Sequence, residues 1–141
     1  MALFFGGRSK QTVTVPDLDD RELAQIISII RLGIGIAFFL FPKRMGRLWT
    51  GDEETTATSR MAARSLGARD AALAIGTMTA LEQDGNVRGW LEAAALSDAS
   101  DAVSTISNWR HLPGLRRLLG LASSVGGAVV GFNLAQSLGD D

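Results

Sequence analysis

Five ionisable residues stand inside stretches of sequence that are otherwise apolar: Arg31, Arg69, Asp70, Asp98 and Asp101. Two guanidinium groups and three carboxylates, set among Ile, Leu, Ala and Gly, can do one of two things. They can pair with one another and fasten the segments that carry them, because a charge in a low-dielectric interior needs a partner. Alternatively, the carboxylate that two arginines leave over can hold a proton, a cation or the polar headgroup of a ligand. Their spacing supports convergence. Asp98, Asp101 and Thr105 follow at i, i+3 and i+7 on one helical face, with Ser97, Ser100, Ser104 and Asn108 as the adjacent stripe. Gly67, Asp70, Ala74 and Thr77 share a face in the same way, which gives Asp70 small neighbours and a close helix approach.

Other chemistry is poorly provided for. The chain has no cysteine, which excludes disulfides, thiolate metal sites, iron–sulfur clusters and cysteine nucleophiles. Its single histidine, His111, lies in a predicted loop beside Pro113, so neither a pair of axial haem ligands nor a histidine zinc site can be assembled. No serine stands in a nucleophile-elbow context and no histidine is placed to activate one. No cofactor is therefore expected. A formal net charge of −1 gives no basic field for nucleic acid. Gly33-Ile34-Gly35 has no strand before it and reads as helix packing, not as a dinucleotide loop. Lys43, Arg44 and Arg47 fit topology determinants and also fit contacts to anionic lipid.

The elements that must position the five charges are helices. Apolar segments at about 23–42, 61–81, 87–109 and 115–138 follow a tail at 1–22, which predicts an all-α, four-helix transmembrane bundle over 23–139. Asp19 or Asp20 can cap the first segment and Pro42 closes it; His111-Leu112-Pro113-Gly114 breaks the third from the fourth. Connections are short except Lys43 to Arg60, whose Gly51-to-Thr56 stretch reads as a solvated loop. The apolar run Ala2 to Phe5 is too short for a signal peptide, so the first helix is expected to stay in the mature protein.

Only the fourth segment, uncharged from Leu118 to Gly139, is expected to pass a strict hydropathy test. A charge at a helix centre costs roughly 2.5–3.5 kcal/mol on insertion scales, so a soluble bundle competes with the membrane reading. Two features favour the membrane. Trp49, Trp90 and Trp109 all fall at segment ends, where an aromatic belt would place them. The chain also carries 16 glycines against three prolines. On the fourth segment, Gly120, Ser124, Gly127 and Gly131 form a small-residue packing surface with no polar face, weak in water and useful in lipid. Lys43, Arg44, Arg47, Arg60, Arg64, Arg110, Arg116 and Arg117 flank the loops after segments one and three. Arg8, Lys10, Arg21 and Arg88 lie on the other side. That asymmetry places the two loops in the cytoplasm and both termini outside the cell membrane.

The residues also carry a resemblance. Arg31-Leu32-Gly33 followed by Phe41-Pro42, then Gly67-Ala68-Arg69-Asp70 with Leu73 and Gly76, then Asp98-Ala99-Ser100-Asp101-Ala102, resemble small bacterial four-helix integral membrane proteins of a domain-of-unknown-function family. The resemblance spans about Gln25 to Leu138; a looser similarity to DoxX-like proteins rests on helix count and size. It implies the same fold and the same charges, and supplies no activity. Three functions fit: a non-enzymatic ligand-binding or accessory module among membrane lipids, self-associated or in a larger complex; a proton- or cation-coupled transporter or channel built as an oligomer; and a membrane enzyme using paired carboxylates on a lipid or isoprenoid. The first is favoured.

Overall fold

The computed structural model describes residues 18–51 and 55–139, and among these the regular structure is entirely helical. The residues weighed as a signal peptide before Leu18, and Asp52 to Glu54 of the expected loop, lie outside the described residues. There are five helices: α1 (Asp20–Leu40), α2 (Pro42–Thr50), α3 (Ala57–Glu82), α4 (Val87–Ser107) and α5 (Gly114–Ser137).

Local sequence explains each boundary. Asp19 is the N-cap of α1, and its backbone N–H donates to the Glu22 carboxylate at 3.3 Å. The helix thus begins at Asp20, inside what the sequence presented as tail. α1 ends at Leu40, just before Pro42, as expected, but Pro42 also opens α2 at the first helical position, where a missing N–H breaks no bond. The connection Lys43 to Arg60 is therefore not simply a loop. Gly51 ends α2 with φ 88°, and a Cβ there would also meet Arg116 and Pro113. Thr56 caps α3, its side chain accepting from the Ser59 N–H at 3.1 Å, and starts that helix four residues before the expected 61. Asn86 caps α4 through the Gly89 N–H at 2.8 Å.

The four long helices run up and down as two close pairs. In the first, α1 lies along α3: a Cβ on Gly35 would stand 2.7 Å from both the Ala71 nitrogen and the Gly67 carbonyl oxygen, so these backbones touch. In the second, α4 lies along α5, with Asp98 against Gly127 and Ala95 against Gly131. The pairs meet less extensively, chiefly along α3 and α4, while α2 lies across one end. At the opposite end Ala24, Ala80, Val87, Leu91, Leu134 and Ala135 form an apolar cluster. There Arg21 donates to the Leu81 carbonyl at 2.6 Å and to Asp84 at 2.9 Å.

Two helices, α1 and α5, are long and apolar enough to cross a membrane. The expectation that only the fourth segment would qualify is corrected here: Arg31 is a single charge in a run of Ile, Leu, Phe and Gly, too little to offset them. In α1 and α5 only 22% and 28% of the apolar window is buried within the chain.

Candidate functional site

Midway along the bundle the two helix pairs are joined by ion pairs. Arg31 of α1 reaches across to α4 and donates through Nη2 to Asp98 Oδ2; its Nη1 lies 3.4 Å from Asp70 Oδ1 on α3. Arg69 of α3 grips Asp101 with both terminal nitrogens, Nη1 to Oδ1 at 3.0 Å and Nη2 to Oδ2 at 2.7 Å. It also donates to Asp70 from Nε at 3.3 Å and Nη2 at 3.2 Å. Asp70 is the hinge of the network, accepting from both arginines. All five expected residues are thus brought together, with each arginine bridging one helix pair to the other. A forked guanidinium–carboxylate contact fixes orientation as well as charge.

The surroundings are built for this layer. Asp70 and Asp98 are buried at 9% and 8% exposure. Gly127 has no side chain because the Asp98 carboxylate occupies the place a Cβ would take. Ser28, Thr77 and Thr105, also buried, give their hydroxyl protons to carbonyls one turn earlier in their own helices, at 2.8–2.9 Å. Ser97 lies beside the layer with a buried hydroxyl that has no protein partner among the described residues.

The carboxylates differ in access. Side-chain exposure is 13% for Asp70 and 12% for Asp98, but 29% for Asp101. Asp101 faces a half-open cavity of about 810 Å³. Two helical faces form its walls: Ser59, Ala62, Ala63 and Leu66 on the first turns of α3, and Asp101, Ser104 and Thr105 on the last turns of α4 with its C-cap Asn108. Both sets have the i, i+3, i+4, i+7 spacing of a single helical face. The end of α1 and α2 complete it with Phe38 and Trp49, whose rings meet edge to face at a centroid distance of 6.1 Å. His111 lines the cavity from the turn after α4.

The remaining expected residues are distributed as follows. Gly120 and Ser124 are buried and Gly127 and Gly131 half-buried, all on α5; only Gly127 and Gly131 pack tightly against α4, a Cβ on Gly120 making ordinary contact with Thr105 at 3.7 Å. Of the glycine pair in α1, Gly35 packs and Gly33 faces open space. Lys43, Arg44 and Arg47 lie on the exposed side of α2. Also on α4, near its start, the half-buried Glu92 pairs with Arg88 at 2.8 Å. Sequence reasoning missed the cavity. A signal existed in Ser59-Ala62-Ala63-Leu66, whose spacing matches the polar face of α4. Without α2 folded over the gap, nothing marked it as a wall. Among the described residues no group of His, Cys, Asp and Glu could hold a metal ion. No protein-family model, curated protein or solved structure matches the chain.

Proposed function

We propose that the chain is a multi-pass membrane protein, a bundle of four spans (α1, α3, α4 and α5), and that it serves as a non-enzymatic ligand-binding module. The observation that carries the membrane part is an inverted distribution of side chains. Buried positions include Asp70, Asp98, Ser28, Thr77, Thr105 and Ser124, whereas Ile29, Ile30, Leu96, Val103, Val129 and Phe132 point outward with 54–73% exposure, Leu96 most. Of the twelve buried apolar residues among those described, eight are alanine, leaving Phe38, Val87, Leu91 and Leu134 as the large core side chains. Four large side chains make a small core for a five-helix chain in water, where burial of apolar area is the dominant favourable term. In lipid the outer Ile, Leu, Val and Phe are solvated by acyl chains, and the close glycine contacts with the ion layer hold the helices together.

Helix length agrees. The shortest long helices, α1 and α4, have 21 residues and span about 31 Å at 1.5 Å per residue, against a hydrocarbon core of about 30 Å. Of the charges that keep α3 and α4 from looking apolar, Arg69, Asp70, Asp98 and Asp101 turn inward to the layer, while Arg64, Arg88 and Glu92 lie nearer the helix ends. With α2 and the α4–α5 turn rich in Lys and Arg, the favoured orientation puts α2 on the cytoplasmic side and both termini outside. The ligand-binding part rests on the cavity, which exposes the one accessible carboxylate of the ion layer. Fractionation of expressing cells tests the membrane part: the protein should stay in membranes washed with urea and require detergent for release. Recovery in the supernatant after the wash would refute it.

A further inference from the structure

We infer that the cavity between α3, α4 and α2 is a site for an organic ammonium ion, a primary amine carried on a small apolar body. This deepens the ligand-binding reading and rests on it. Three polar side chains of the wall have a proton engaged on a carbonyl of their own helix or its cap. Ser59 gives its hydroxyl proton to the Thr56 carbonyl at 2.9 Å, Thr105 gives its proton to the Asp101 carbonyl at 2.9 Å, and Asn108 gives an amide proton to the Ser104 carbonyl at 2.9 Å. Their oxygens thus remain free to accept from a ligand in the cavity. At the inner end stands Asp101, a carboxylate with room for about four hydrogen bonds, of which Arg69 takes two.

Charge points the same way. The ion layer holds three carboxylates and two guanidinium groups, and the most exposed of the three carboxylates is the one on the cavity. No Lys or Arg lines the cavity among the described residues. An anion would meet no Lys or Arg on the wall, only His111 at the turn after α4, and a carboxylate already held by Arg69 at the inner end. An ammonium ion supplies three N–H donors and the third positive charge. Phe38, Trp49 and Leu66 form the apolar part of the wall, and the indole and phenyl rings there suit a cation's neighbouring carbon body.

The test is calorimetric titration of the full chain in lipid nanodiscs, with empty nanodiscs as blank. Three probes of one shape are compared at pH 7: phenethylamine, 2-phenylethanol and phenylacetate. Saturable binding of phenethylamine is expected, with 2-phenylethanol at least about tenfold weaker, the loss of one charge-assisted hydrogen-bond set, and phenylacetate unbound. Asp101→Asn should weaken phenethylamine about tenfold; Arg69 keeps Asp70 in that variant. A second variant, Ser59→Ala with Asn108→Leu, leaves the ion layer untouched and should weaken phenethylamine about threefold or more. If the alcohol or the carboxylate binds as tightly as the amine, or if neither variant weakens the amine, the ammonium assignment is wrong while the cavity remains a ligand site. If none of the three probes binds, the ammonium assignment and the ligand-binding reading fail together.

Discussion

Replacing Arg31 by methionine keeps most of the side chain's length and removes its charge. Asp70 then retains Arg69 at 3.2 Å, but Asp98, 8% exposed, is left with no ion-pair partner among the described residues. A stranded buried carboxylate carries the usual penalty for breaking a buried pair, so Arg31→Met should destabilise by about 3–5 kcal/mol. Asp98→Asn alone should cost about 1 kcal/mol, because the amide oxygen still accepts from Arg31 and Arg31 keeps Asp70. Combining the two changes should cost less than Arg31→Met alone, since nothing is then stranded. Unfolding of each purified variant in mixed micelles by increasing SDS, followed by helical ellipticity, gives the four free energies. A loss under about 1 kcal/mol for Arg31→Met, or strict additivity in the double variant, would show that the ion layer does not hold the helix pairs together.

Three further outcomes follow from the packing. Gly35→Ile or Gly67→Ile should lower stability by about 1–3 kcal/mol or more in the same assay, because backbone atoms of the facing helix stand where the branch would go, while Gly33→Ile and Gly126→Ile should be tolerated in their open space. Gly127→Ala should displace the Asp98 carboxylate and reproduce part of the Arg31→Met loss, measured as a less-than-additive loss when the two are combined. Reporter fusions at Met1 and Asp141 should both report the non-cytoplasmic side; opposite signals at the two ends would exclude an even number of spans.

Much of this arrangement could be read from sequence for a simple reason. Arg31, Arg69, Asp70, Asp98 and Asp101 are the charges embedded in apolar helices at matching depth, and each has little choice of partner but the others. Helical spacing alone put Gly67, Asp70, Ala74 and Thr77 on one face, and all four are buried. Pro42 marked the end of α1 but not the start of α2, because proline both ends helices and begins them; the break between the two lies at Phe41, with φ −120° and ψ 51°. The division into two close pairs was hidden for another reason. Gly33, Gly35, Gly126 and Gly127 are equivalent as residues, and only the rotation of each helix selects Gly35 and Gly127 for contact. The cavity was least legible, since it depends on α2 lying over a gap between faces far apart in sequence.

The claim that decides most is that the Ile, Leu and Val exterior faces lipid while the charged layer is sealed inside. The chain contains no cysteine, so single substitutions at Ile30, Leu96, Val103 and Val129 give clean reporters on four exposed positions. Each would be treated with a membrane-impermeant maleimide, first in intact membranes and then after denaturation. Lipid-facing positions should remain unlabelled until denaturation, whereas a control cysteine at the exposed Arg44 of α2 should react in inverted vesicles. Rapid labelling of Leu96→Cys and Val129→Cys in intact membranes would mean that water reaches this surface, and would contradict the four-span bundle.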